Sequence, residues 1–325
     1  MNKKTLLFRF DFKRKKNLSY GHFFRAKKIL SILGNQYNIF YLIKTPLEKK
    51  QYKYLINKNL TQSGKYLLIN KKVIKKKFDF LIIDLPYKDS ELNLIKSQIN
   101  KIIVLEDHFS NYDLANFYFT NRKLNKYELK KVNISNNNIF HGNRFFINEK
   151  KIIKNKPPKI LKNFFINFGG SDPLNLTNKL LSFINHINFS KYNFHVVLGP
   201  GAKEINKKKI INKNIKIYYN LSNKRFDFIR KNCDIAIVSG GNILIENIFL
   251  GLPSMAFASS NYENFIINQL IKINVTIKLH YINSNKLLQA IQSFDYNQRT
   301  KIYNSTKIMI KNNMFEKKFK SILDL

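Results

Sequence analysis

The sequence predicts an α/β protein of two doubly wound, Rossmann-like domains facing each other across a cleft. Three observations predict it. Short apolar runs of strand length alternate with stretches of helical spacing along most of the chain, the pattern of a parallel sheet covered on both faces. A charged segment with a Pro157-Pro158 pair, Glu149 to Ile160, divides this series in two and suits an interdomain linker. The clearest strand–turn–helix signal lies in the rear half, where Ile235 to Val238 run into Gly240-Gly241 and then a helical stretch. The domains are accordingly 1–150 and 151–325.

The front half opens with a buried strand, Leu6 to Phe10, with Arg9 and Asp11 at its carboxyl end. Gly21-His22 heads a helix that runs to about Ile32, with Ala26, Ile29, Leu30 and Leu33 at helical spacing and Gly34 as its stop. Strands follow at Tyr37–Ile43, Phe78–Ile83, Ile102–Leu105 and, more weakly, Phe117–Thr120. Helices are expected at Leu47–Leu55, behind Pro46, and from an Asp89 cap to about Ile99. Ligands of such folds bind beyond the strand carboxyl ends. Arg9, Asp11, His22, Asp84 and Asp107 all fall there.

The rear half repeats the architecture. A strand at Phe164–Asn167 ends in Gly169-Gly170-Ser171-Asp172, and Pro173 opens a helix to about Phe183. Strands are expected at Phe194–Leu198, before Gly199-Pro200-Gly201, and at Ile215–Tyr218. A helix near Phe226–Arg230 precedes the central strand. Pro253–Phe257 is a further strand, Phe265–Ile273 a helix, and the chain is helical from about Ile282.

Composition sets the bounds. The chain has 325 residues, 44% of them apolar, enough for two cores. A formal charge of +38 invites a nucleic-acid reading, but lysine is scattered and accompanies a general excess of Asn and Ile. Lys13–Lys16, Lys75–Lys77 and Lys207–Lys209 read as solvated faces, and no nucleic-acid partner is expected. Peripheral contact with anionic lipid is left open. The single Cys233 fits a reducing compartment, Leu6 to Phe8 are too short for a signal-peptide core, and no run reaches membrane-spanning length. A cytoplasmic location is expected. With one cysteine and no closely spaced histidines, no metal site and no cofactor are expected, and GxxxxGK[ST] does not occur.

Gly240 and Gly241 open the main chain to close approach, and the helix behind them presents free N–H groups and a positive dipole end to an anion. Asn242 begins that helix, and Glu246 lies one turn in, where it can accept from paired ribose hydroxyls. These features suit a nucleotide diphosphate; the alternative is a plain strand–turn–helix without a ligand. Gly169, Gly170 and Ser171 can offer donors to a phosphate, or form only a tight turn with Ser171 or Asp172 capping the next helix. His22 is the leading general-base candidate, against the alternative of a histidine that only satisfies a helix start. His108, beside two carboxylates, is second. His141, His186, His195 and His280 read as structural.

Together these motifs resemble the two-domain glycosyltransferase-B (GT-B) superfamily, and within it the hydrolase of pseudaminic acid biosynthesis. The segments that carry the resemblance are Arg9-Phe10-Asp11, Ser19 to Arg25, Ile82-Ile83-Asp84, Gly169 to Asn175, Val196 to Gly201, Gly240 to Glu246 and Gly251-Leu252-Pro253. Ser19 replaces a glycine of that family, Glu263-Asn264-Phe265 stands where Glu-Asn-Gln is usual, Gly142-Asn143-Arg144-Phe145 replaces Gly-x-x-Tyr, and the loop after Asp11 is unusually basic. The resemblance implies release of UDP from UDP-2,4-diacetamido-2,4,6-trideoxy-β-L-altropyranose by water attack at the anomeric carbon. His22 would be the base, Gly240 and Gly241 would meet the diphosphate, Glu246 the ribose, and Asn264 the diphosphate or sugar. Arg9, Asp11, Gly21, Arg25, Asp84, Gly169, Gly170, Ser171, Asn175 and Asn242 complete the implied substrate contacts. The alternative is an inverting UDP-sugar glycosyltransferase acting on a cell-surface glycan, with the same base and the same UDP site.

Overall fold

The computed structural model describes residues 3–10, 21–44, 65–68, 76–85, 87–105, 110–132, 134–148, 156–199, 201–219, 221–280 and 283–324. Asp11, the expected helix Leu47–Leu55 and the Glu106–His108 cluster lie outside them.

The chain forms two compact units, each an α/β layer structure around one parallel sheet. The first unit gathers β1 (Thr5–Phe10), α1 (Gly21–Leu33), β2 (Asn38–Ile43), β3 (Lys65–Leu68), β4 (Phe78–Asp84), β5 (Ile99–Leu105), β6 (Phe117–Thr120), α2 (Lys126–Val132) and β7 (Ile139–His141). Its sheet has the order β3-β2-β1-β4-β5-β6-β7. Side chains alternate along each strand, so one sheet carries two cores. Leu6, Phe8, Phe10, Phe80 and Ile82 pack with Ala26, Ile29, Leu30 and Leu33 of α1. Leu7, Leu81 and Ile83 pack on the opposite face with Leu92 and Ile95. The segment capped by Asp89 is a 3-10 turn, Ser90–Gln98, rather than the α-helix expected there.

The second unit contains β8 (Asn163–Asn167), α3 (Leu176–Ile184), β9 (Asn193–Val197), β10 (Ile215–Tyr218), α4 (Asn223–Asn232), β11 (Ile235–Ser239), α5 (Asn242–Leu250), β12 (Ser254–Phe257), α6 (Asn261–Ile271), β13 (Ile277–Lys278), α7 (Ser284–Ser293) and α8 (Tyr296–Lys311). Its sheet order is β10-β9-β8-β11-β12-β13. Numbered from β8 this is 3-2-1-4-5-6, the doubly wound dinucleotide-fold order, whose crossover point lies between β8 and β11. Ile235 to Val238 of β11 are fully buried, as a strand covered on both faces must be.

The helix expected to open at Pro173 begins at Leu176. Asp172 delays it: at φ +41° its carboxylate accepts from the Leu176 and Thr177 N–H groups, both at 2.8 Å, and so caps the helix from outside. The helical tail resolves into α7, α8 and a last helix, α9 (Phe315–Leu323). The reading of 151–325 as one domain needs a correction here, since Asn313–Leu325 belong to the first unit. Phe315 and Phe319 are fully buried there, with ring centroids 5.3 and 6.0 Å from that of Phe119, and the Asn313 side chain donates to the Phe146 carbonyl at 3.0 Å. The Pro-rich connection ends on the second unit, where buried Arg299 donates to the Pro158 and Lys159 carbonyls at 2.9 Å.

Candidate functional site

In the first unit the crossover lies between β1 and β4. Asp84 ends β4 and, by the two-residue period, projects to the same side as Phe80 and Ile82, the side that α1 covers. His22 and Arg25, three apart on α1, share the face turned toward it. His22 Nδ1 lies 2.7 Å from Asp84 Oδ1, and Arg25 Nε donates to Asp84 Oδ2 at 2.7 Å. Arg25 also donates to Asp84 Oδ1 through Nη2. Asp84 is fully buried. Burial works to raise its pKa, but the Arg25 guanidinium, the His22 ring and the hydrogen bonds from both outweigh it and hold the carboxyl below its usual range.

That charge state fixes the histidine tautomer. An ionised carboxylate only accepts, so Nδ1 must carry the proton that it donates to Asp84. The Arg25 Nη2 contact with Nδ1, at 2.9 Å, is then a meeting of two donors aimed at one oxygen. In the uncharged ring Nε2 then holds the lone pair and is the proton acceptor.

Arg9 is not part of this group. It sits on the opposite face with Leu7, 1% exposed, where it donates to the Leu42 carbonyl at 3.2 Å and lies 3.4 Å from Asp89. Lys44 meets the same Asp89 at 2.6 Å. Gly21 is the first residue of α1. His141 is structural: its Nδ1 accepts from the Leu124 N–H at 3.1 Å, and burial, with Lys123, lowers its pKa.

In the second unit the glycine turns after β8 and β9 meet beside the crossover. Asn167, at the end of β8, ties its strand to the Val197 carbonyl at 2.8 Å and accepts from the Gly169 N–H at 3.0 Å. Gly169 has φ +83°, and a Cβ there would lie 3.6 Å from Ser239 Oγ at the end of β11. Gly201 N–H donates to the Gly170 carbonyl at 2.7 Å, and a Cβ on Gly199 would fall 2.2 Å from the Gly169 carbonyl oxygen. The turns after β8 and β9 are therefore packed backbone to backbone. Ser171 is half-buried beside Gly201; Asn175, at φ +54°, precedes α3 and accepts from Asn178 at 2.7 Å.

Gly240 and Gly241 pass from β11 into α5, whose first turn holds no acidic residue. Their lack of a side chain has a cause in the fold itself. A Cβ on Gly240 would meet Ile267 Cδ1 at 2.7 Å and Glu263 Cβ at 3.0 Å, and one on Gly241 would meet Glu263 Oε1 at 3.0 Å. The start of α6 is thus pressed onto the turn. Glu263 accepts from the Ser259 N–H at 2.7 Å and from its hydroxyl at 2.5 Å. Burial pushes its pKa up, although those bonds and one from the Gly240 backbone pull the other way. Glu263 is a turn-supporting residue that the sequence showed only as part of Glu263-Asn264-Phe265, with no signal that it packs on the glycine turn.

Glu246, in α5, pairs with Arg230 Nη1 at 3.1 Å. Arg230 also pairs with Asp227 and lies 4.7 Å from the Phe226 ring centroid. Asn242 starts α5. Asn264 accepts from Lys278 Nζ, which brings a cation to the first turn of α6. Among the described residues no cluster of three His, Cys, Asp or Glu could hold a metal ion, and no helix is long and apolar enough to cross a membrane.

No family model matches the sequence. The uncharacterized protein MJ1062 of Methanocaldococcus jannaschii is 33% identical over 139 residues, which is 40% of this chain and 28% of that protein. The match thus spans little more than a quarter of that relative's length. Solved structures match far more of the chain. UGT89C1 of Arabidopsis thaliana, complexed with UDP, superposes with a TM-score of 0.66 at 11% identity, covering 100% of both chains. MurG of Acinetobacter baumannii gives 0.59 at 11% identity, covering 96% of this chain and 99% of that one. The UDP-N-acetylglucosamine 2-epimerase of Rickettsia bellii gives 0.58 at 13% identity over 99% and 96%. At such identities the likeness is one of fold. With two doubly wound parallel sheets in sequence, the chain has the two-domain GT-B fold.

Proposed function

We propose that the protein is a UDP-sugar hydrolase, which releases UDP from a UDP-linked diacetamido-trideoxy hexose by water attack at the anomeric carbon. The observation that carries this reading is the His22–Asp84 pair, which leaves Nε2 as a base at a strand carboxyl end. Nε2 takes a proton from water as the oxygen forms its bond to the anomeric carbon. The bond from that carbon to the UDP oxygen breaks, and UDP leaves with the electron pair. Asp84 holds the ring and balances its charge as it becomes cationic, and Arg25 holds Asp84 in place. The N–H groups of Gly169 and Gly240 are bonded within the fold, to Asn167 at 3.0 Å and to the Phe257 carbonyl at 2.9 Å, so the two turns meet the diphosphate through the main chain of Gly170, Ser171 and Gly241. Glu246 takes the ribose, Asn264 and Asn175 contact the remainder of the donor, and Arg9 acts from behind by fixing the end of β1. UDP in the Arabidopsis neighbour, and the epimerase name of the Rickettsia one, support a UDP-sugar as the substrate class.

A transferase reading uses the same residues with a hydroxyl acceptor in place of water. It is favoured by the glycosyltransferase neighbours, among them SnogD of Streptomyces nogalater. Incubation with a panel of UDP-sugars and no acceptor separates the two. UDP release with a free reducing sugar, identified by mass spectrometry, supports hydrolysis; release only on addition of a glycan acceptor overturns it in favour of transfer.

A further inference from the structure

The edge of the second sheet opposite its glycine turns carries an unusual surface. In a parallel sheet all amino-terminal strand ends lie on one edge, so the segments before β9 and before β10 emerge together. They are stitched to each other. Asn185 Oδ1 accepts from the N–H groups of Ile211 at 2.7 Å and Asn212 at 3.0 Å, and its amide donates to the Lys209 carbonyl at 2.8 Å. Asn212 donates back to the Ile184 carbonyl at 2.9 Å.

On this braced platform Ile187 is 79% exposed and Ile211 is 81% exposed. Ile187 opens a short 3-10 turn whose other end, Phe189, is buried in the core at 1%. The isoleucine is therefore held outward rather than left on a loose loop. A single exposed isoleucine needs no explanation, but two on cross-bonded segments form a patch. Residues 185–191 and 206–214 contain Lys191, Lys207, Lys208, Lys209 and Lys213 and no acidic residue. Glu204 is the nearest acidic residue along the chain, and Asp234, at the same end of the sheet, is engaged by the Lys162 and Asn163 N–H groups at 2.8 and 2.7 Å.

Exposed isoleucines on lysine-containing segments that hold no carboxylate match a surface that is anionic outside and apolar just beneath. We infer that this edge docks the second unit on an anionic lipid bilayer, with Ile187 and Ile211 entering the headgroup–acyl boundary and the lysines meeting the headgroups. Docking at this edge leaves the glycine turns, at the other end of the same strands, facing away from the lipid. The inference does not depend on the reaction proposed above.

The test separates this patch from the general positive charge of the chain. Co-sedimentation is measured on vesicles of phosphatidylcholine alone and of phosphatidylcholine with phosphatidylglycerol. Ile187→Ser with Ile211→Ser leaves the charge unchanged, yet it is expected to weaken binding to the phosphatidylglycerol vesicles by about tenfold or more. Lys126→Gln with Lys130→Gln removes two exposed charges of the first unit and is expected to change it by less than about twofold. Equal binding of the isoleucine variant and wild type overturns the inference, as does an equal loss in the lysine control. A dye on Ile187→Cys gives a second reading, because the native Cys233 is buried. Its emission shifts to the blue on phosphatidylglycerol vesicles if the site inserts, and an unchanged emission contradicts insertion. Tight binding to RNA with none to either vesicle would assign the surface to a different partner and also overturn it.

Discussion

Asp84 accepts the Nδ1 proton of His22 at 2.7 Å, and this one contact decides which ring nitrogen is available for chemistry. Replacing Asp84 with Asn lets the amide donate to Nδ1 and favours the opposite tautomer, with Nε2 protonated. Asp84→Asn is therefore expected to lower turnover by about 10²- to 10⁴-fold, the range of general base catalysis, while UDP affinity measured by calorimetry stays near that of wild type. Unchanged turnover in the folded variant contradicts the assignment of the base.

The same carboxylate links stability to acid. Its folded pKa is depressed, so its contribution is present above the unfolded carboxyl pKa and is lost as pH falls through the folded value. Acid unfolding followed by circular dichroism should show this loss in wild type. In Asp84→Asn the protein should be weaker at neutral pH and its acid slope shallower; parallel acid curves for the two proteins contradict the pairing.

Glu263 has the opposite sign. Burial raises its folded pKa, so its contribution is complete below the unfolded pKa and is lost as pH rises through the folded value. Relative to Glu263→Gln, wild type is expected to lose a few degrees in melting temperature between about pH 4 and about pH 8. A difference independent of pH would mean that the carboxyl beside the Gly240-Gly241 turn titrates normally.

Glycines in this chain answer to different constraints, and alanine scanning should rank them. Gly34 has φ +56° and nothing within 4 Å of a would-be Cβ, so alanine there costs only left-handed strain, about 1–2 kcal/mol. A Gly199 Cβ meets the Gly169 carbonyl oxygen at 2.2 Å, a backbone clash that no rotamer relieves. Gly199→Ala should cost more than Gly34→Ala by chemical denaturation and also weaken UDP binding. The reverse order contradicts the backbone packing of the two turns.

The last helix belongs to the first unit, and its removal should be felt there. Phe319→Ala empties a fully buried site and is expected to cost about 3–5 kcal/mol. Hydrogen exchange should accelerate in β1 and β6 and leave β8 and β11 unchanged. Equal acceleration in both sheets contradicts the division into units.

How much of this was legible in the sequence follows from where each element lies in its sheet. β1, β4, β8 and β11 are central and buried on both faces, so each is an unbroken apolar run. β3, β7 and β13 went unread; they are edge strands of two to four residues, paired on one side only, and too short to show a period. The Gly-Gly turns were visible because glycine marks them, but the reason for Gly240 was not. Ile267 and Glu263, which fill the space beside it, lie a strand and a loop further on. His22 was readable as a helix-start histidine, whereas its orientation depends on Asp84, 62 positions away and joined to it only by the β1–β4 pairing. Arg9 shows the limit of proximity along the chain: it neighbours the site in sequence, yet the alternation of a strand turns it to the other face.

The most direct test of the proposed chemistry is hydrolysis of the UDP-sugar in heavy-oxygen water, followed by mass spectrometry of both products. Heavy oxygen is expected in the reducing sugar and none in UDP, because water attacks carbon and UDP keeps its bridging oxygen. Heavy oxygen in UDP, showing attack at phosphorus, would contradict it.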